Sequence, residues 1–165
     1  MNRRVVGLAL LLLMAVPAAV AAQTVEMVFT PGVADQAVAL KAALKVDKAN
    51  VTWFGALALV GAPPARKKAY ADAVAHNTAV VVLGEDALKA VSEIEFSVPV
   101  IVVNAAGKCA ARGRVIRVFD GAAAPPGATP VESPAAVSAA MQSAKDLVLK
   151  GDVATTVQAL LGALK

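Results

Sequence analysis

Five consecutive apolar residues, Ala79-Val80-Val81-Val82-Leu83, run straight into Gly84-Glu85-Asp86, after which Ala87, Leu88, Val91 and Ile94 fall at helical spacing. A short, continuous, β-branched run of this kind is characteristic of a strand covered on both faces, as in a parallel sheet sandwiched between helices. Parallel neighbours need long crossovers, so the rest of the chain should repeat the strand-then-helix unit. It does. Val25-Glu26-Met27-Val28-Phe29-Thr30 is β-rich and stops at Pro31-Gly32, and Val33, Ala37, Leu40 and Leu44 then recur at steps of four, three and four. Residues 50–60 read as a second strand closed by Gly61-Ala62-Pro63-Pro64, and residues 65–77 as a second helix with Pro64 in its first turn.

Val98-Pro99-Val100-Ile101-Val102-Val103 reads as a fourth strand and residues 115–119 as a fifth. Arg114 and Arg117 mark that fifth strand as an edge, where long cations discourage further pairing. Residues 121–132, rich in Ala, Pro and Gly, read as an extended connector without helix or strand. Two C-terminal helices follow. The first has Ser133 as N-cap and a stripe of Val137, Met141, Ala144 and Val148; the second follows Gly151-Asp152 and buries Val153, Val157, Leu160, Leu161 and Leu164. The expected fold is α/β, a three-layer α/β/α sandwich with a mostly parallel sheet of about five strands.

The N-terminus carries a different message. Arg3 and Arg4 precede an apolar run over residues 5–16, Pro17 breaks it, and Ala19-Val20-Ala21-Ala22 offers small residues to a signal peptidase. A membrane span needs ~20 apolar residues, more than this run supplies. Residues 1–22 therefore read as a secretory signal, and residues 23–165 as one domain destined for the periplasm or the exterior. Of the net charge of +4, Arg3 and Arg4 contribute two, so what remains is a weak electrostatic attractor and nucleic acid is not an expected partner. A chain that is 58% hydrophobic and 17% charged can bury enough apolar surface to fold.

Chemistry-bearing residues are sparse. The single cysteine, Cys109, and the single histidine, His76, exclude an intrachain disulfide framework and cannot alone build a structural zinc site. No glycine-rich phosphate loop and no dinucleotide fingerprint follows a strand, so no cofactor is expected. His76 falls at a helix end, away from the carboxyl ends of the strands, where open parallel sheets bind ligands at a topological switch point. The loops at those carboxyl ends place Thr30, Gly32, Gly84, Glu85 and Asn104 as candidate ligand-binding residues, with backbone N–H groups after Gly32 and Gly84 able to hold an anion or polar head group. Ordinary turn and cap chemistry explains the same glycines and Glu85. Lys108, Arg112, Arg114 and Arg117 form the one concentration of charge after the signal, and Arg66-Lys67-Lys68 opens a helix against its dipole.

The stretch Thr78-Ala79-Val80-Val81-Val82-Leu83-Gly84-Glu85-Asp86-Ala87-Leu88-Lys89-Ala90-Val91, with Val98-Pro99-Val100-Ile101-Val102-Val103, resembles the first lobe of ABC-transporter substrate-binding proteins of the tryptophan/tyrosine-type family. The resemblance runs over residues 25–104. It implies a periplasmic-binding-protein lobe in which Thr30, Gly84 and Asn104 hold positions where that lobe touches its ligand; a flavodoxin-like sheet is the other arrangement that the strand-and-helix alternation allows. Such proteins close two lobes around a solute, whereas this chain has length for one. A second copy or another protein would have to supply the missing wall.

Two functional classes follow. One is a non-enzymatic exported binding module that takes a small solute or a protein partner. The other is a thiol-dependent enzyme or redox protein in which Cys109 is activated by its cationic neighbours. The small apolar loops Ala62-Pro63, Ala105-Ala106 and Ala122-Ala123 further predict weak dimerisation through the crevice face.

Overall fold

Alternation along the strands divides the protein into layers. In the computed structural model, which describes residues 23–46, 51–105, 111–120, 124–131, 134–141, 146–149 and 153–164, Ala79–Leu83 forms a strand (β3) buried at every position. Ala79, Val81 and Leu83 face one core while Val80 and Val82 face another. The neighbouring strands β1 (Val25–Phe29) and β4 (Val100–Val103) divide in the same way: Met27, Ile101 and Val103 join the first core, and Val28, Val100 and Val102 the second. A side-chain period of two on a sheet covered from both sides requires this division.

The remaining strands are β2 (Val51–Gly55), β5 (Val115–Asp120), β6 (Thr129–Val131) and β7 (Asp146–Leu149). Among the described residues the sheet has seven strands in the order β2-β1-β3-β4-β5-β7-β6, and every adjacent pair is parallel. Helices α1 (Ala34–Ala43), α4 (Pro134–Ala140) and α5 (Val153–Ala163) cover the first core; α2 (Pro64–Val74) and α3 (Glu85–Val91) cover the second. The direction of travel explains the sides. From β1 the chain moves outward to β2 through α1, then returns past β1 to β3 and on to β4 through α2 and α3, so crossovers of one hand place α1 opposite α2 and α3. The β6-α4-β7 step moves in the same sense as β1-α1-β2, and α4 lies on the face of α1.

The α/β three-layer architecture is as expected, but the sheet is wider and its edge lies elsewhere. β5 is an interior strand between β4 and β7. Arg117, expected at an edge, is partly buried and has Asp146 of β7 at 3.9 Å, so its charge is met by the next strand. The connector contains β6 at Thr129–Val131, with Pro130 tolerated because β6 is the outermost strand. Helix α4 ends at Ala140, and Val148, placed on its stripe from the sequence, belongs to β7 instead. Asp146-Leu147-Val148-Leu149 satisfies helical and strand spacing alike over so few residues, and the open side of β5 decides between them. The second strand is also shorter than residues 50–60, because Ala56–Leu59 turns into a 3-10 helix. Pro64 opens α2, and Lys67 and Lys68 there are neutralised by Glu93 and Asp72. That pairing accounts for cations at the positive end of a helix dipole.

Candidate functional site

The chain leaves β1 toward β2 on one side and leaves β3 toward β4 on the other, so the switch point lies between the carboxyl ends of β1 and β3. Within the order β2-β1-β3-β4-β5 this is the flavodoxin-like arrangement. A 3-10 turn, Pro31–Val33, carries the chain from β1 into α1, with the Val33 N–H donating to the Thr30 carbonyl at 3.0 Å. Gly84 enters α3 at φ 82° and ψ 166°, a conformation essentially reserved for glycine. Val33 lies directly over it: a Cβ at residue 84 would sit 3.5 Å from Val33 Cγ1. Val33 thus covers Gly84 at the switch point, and two grooves are lined by residues of the neighbouring loops and helices.

The larger groove, of about 700 Å³, lies on the α2/α3 face beside Thr30 and Gly32. Its most distinctive feature is apolar: Leu57 and Val60, in the turn after β2, are 61% and 64% exposed. Lys67, Asp86, Lys89 and Glu93 stand around them. These charges are already matched, Lys67 with Glu93, and Lys89 with Glu85 at 3.4 Å and Asp86 at 3.6 Å. Lys67 holds the Glu93 carboxyl below its ordinary value, and Glu85 raises the Lys89 ammonium above its own. The four-residue spacing of Lys89 to Glu93 is not used, because α3 ends at Val91 and Glu93 turns to α2.

A second groove, of about 400 Å³, opens on the other face between α1 and α5, over the ends of β3 and β4. Asn104 lies there, at φ 51°. The expected site residues therefore divide. Thr30 and Gly32 share the larger groove, Asn104 belongs to the smaller one, and Gly84 and Glu85 line neither. Glu85 lies along its own helix against Lys89. The helix starts are no vacant anion holders, since Asp35 occupies the first turn of α1 and Glu85 and Asp86 that of α3. Ala105, expected on an exposed apolar loop, is buried.

Leu57 and Val60 were not legible as site residues. In a strand over residues 50–60, Leu57 and Leu59 would share one face; in the 3-10 turn, Leu59 is buried and Leu57 is not.

A third recess, of about 550 Å³, is lined among the described residues by Lys67, Lys68 and Arg112 together with Asp72, Glu93 and Glu95, three cations against three anions. The basic concentration seen in the sequence is thus divided, with Arg112 among acids here and Arg117 beside Asp146. Lys108 and Cys109 lie outside the described residues, as do residues 1–22, Ala106, Ala122, Ala123, Ser133, Gly151 and Asp152. His76 is exposed just past α2, its Nδ1 2.8 Å from the Ala73 carbonyl, at the amino ends of β1 and β3 and far from both carboxyl-end grooves. Among the described residues no three His, Cys, Asp or Glu side chains gather as metal ligands.

Among the described residues one charged side chain is buried within the sheet layer. Glu26 on β1 is 6% exposed and accepts a hydrogen bond from Tyr70 Oη at 3.1 Å. Burial raises the Glu26 carboxyl above its ordinary value, against the lowering influence of Tyr70 and His76. The Tyr70 phenol is raised far above its own by burial and by Glu26. Tyr70 also meets the Phe96 ring edge-on at 6.4 Å.

Nothing matches the chain among protein-family models, curated proteins or solved structures.

Proposed function

We propose that this chain is an exported single-lobe binding module, without a catalytic step of its own, that holds a small solute in the groove beside Thr30 and Gly32 and closes it with a second copy. The supporting observation is the pair Leu57 and Val60, two large apolar side chains exposed together at the carboxyl end of the sheet. An apolar centre ringed by polar residues is the anatomy of an interface core. Around it stand Lys67, Asp86, Lys89 and Glu93, equal in positive and negative charge, so that a second copy would meet no net repulsion there. A one-lobed relative of the ABC-transporter binding proteins would need such a second wall. The periplasmic setting rests on the secretory character of residues 1–22; among the described residues no helix is long and apolar enough to cross a membrane.

The solute is tested by thermal-shift measurements on residues 23–165 with amino acids, nucleobases and organic anions, run beside Leu57→Glu. A ligand that binds the native state raises the midpoint by mass action. A rise in the parent protein that Leu57→Glu abolishes supports the reading, and silence across the panel removes the solute from it.

A further inference from the structure

We infer that the smaller groove, between α1 and α5, is a separate binding site for an uncharged amphipathic small molecule, one with an apolar body and a single hydrogen-bonding head. It lies on the opposite face of the sheet from Leu57 and Val60, so the inference does not depend on the preceding reading.

Its floor is Leu40, Leu83 and Val103, all core residues, and its helical walls are kept low by Ala39 and Ala43 on α1 and Ala154 on α5. Larger side chains at those three positions would fill the space that α1 and α5 leave between them. The walls are tied together independently of any ligand: the Lys45 N–H, just past α1, donates to Gln158 Oε1 of α5 at 2.6 Å. Gln23, leading into β1, donates to the Leu161 carbonyl of the same helix at 2.7 Å. A cavity whose walls are fixed in this way is preformed, and its volume of about 400 Å³ falls in the range of small-molecule sites.

The lining also sets the ligand's charge. Among the described residues none that lines it is ionisable, and the polar ones are two primary amides, Gln36 and Asn104. A charged ligand would give up water without meeting a counter-charge, which is costly beside an apolar floor. An uncharged one loses little, and a primary amide, with two N–H donors and an acceptor oxygen, keeps capacity for its head group beside a bond it already makes.

The probe is N-phenyl-1-naphthylamine, neutral, apolar and carrying one N–H, whose fluorescence rises on leaving water. The full folded domain should give a saturable rise with one site per chain. Ala43→Phe, at an exposed helical position and so compatible with folding, should weaken binding about ten-fold or more by filling the groove. Asn104→Gly keeps the left-handed backbone and removes the amide, and should weaken it several-fold. Leu57→Glu should leave it unchanged. The anionic analogue 8-anilinonaphthalene-1-sulfonate should bind more weakly. Absence of a saturable rise, or a rise that Ala43→Phe leaves intact, overturns the site; loss of the rise in Leu57→Glu relocates the probe to the other groove and overturns it equally. An anionic probe that binds as tightly as the neutral one overturns the assignment of ligand charge.

Discussion

The Tyr70 hydroxyl, on α2, donates a hydrogen bond to Glu26 Oε1, on β1, across the second core at 3.1 Å. This bond ties a covering helix to the sheet through a carboxyl held above its ordinary titration range by burial. A folded-state value that is raised means that the folded chain holds the proton more tightly than the unfolded one. Stability is therefore highest below the unfolded carboxyl value and falls as pH rises through the interval up to the raised folded value. Glu26→Gln should remove that fall. Urea denaturation of parent and variant from acidic to neutral pH should show stabilities that converge in acid and diverge in favour of the variant toward neutrality.

Tyr70→Phe acts in the opposite direction. It removes the donor while the carboxylate stays buried, and should cost about 1–3 kcal/mol at neutral pH. The loss should shrink in acid, where the carboxyl is protonated in either protein.

Gly84 and Gly32 should respond differently to alanine. At Gly84 the backbone conformation excludes a side chain at a cost of about 1–3 kcal/mol, although Val33 itself would be at an ordinary contact distance. At Gly32 a Cβ meets nothing within 4 Å, and no positive φ is involved. Thermal melts should show a lowered midpoint for Gly84→Ala and little change for Gly32→Ala.

Val82 is fully buried in β3, and Val82→Asp should cost several kcal/mol or leave the chain unfolded at neutral pH. Thr156 presents the reverse case. Its hydroxyl is buried on α5 with no hydrogen-bond partner among the described residues, so Thr156→Val, nearly the same shape, should stabilise by about 1 kcal/mol in a denaturant titration.

The sheet was legible wherever burial and periodicity agree. Ala79–Leu83 and Val100–Val103 announce themselves as strands covered on both sides, and the Pro-Gly and Gly-Glu-Asp junctions mark the helices that follow. Legibility fails where three or four residues must choose between periods. β6 hides in a proline-rich connector, and β7 hides in an apparent helical stripe, because the decisive partner, the free side of β5, is distant in sequence. The junctions at the switch point were legible as junctions, although Pro31–Val33 forms a 3-10 turn and Glu85 and Asp86 already belong to α3. What they do there was not legible: Val33 lies over Gly84, and the exposed apolar side chains are Leu57 and Val60, whose direction depends on a 3-10 turn that no spacing reveals.

The functional reading rests on Leu57 and Val60 being exposed because another surface covers them. Light scattering over a wide concentration range tests this most directly, with Leu57→Glu set against Val38→Glu, a change at an equally exposed apolar position on α1, 59% exposed and outside the groove. The mass should climb from monomer toward dimer in the parent and in Val38→Glu and stay at monomer in Leu57→Glu. A parent that remains monomeric at high concentration, or a dimer that Leu57→Glu leaves intact, would contradict it.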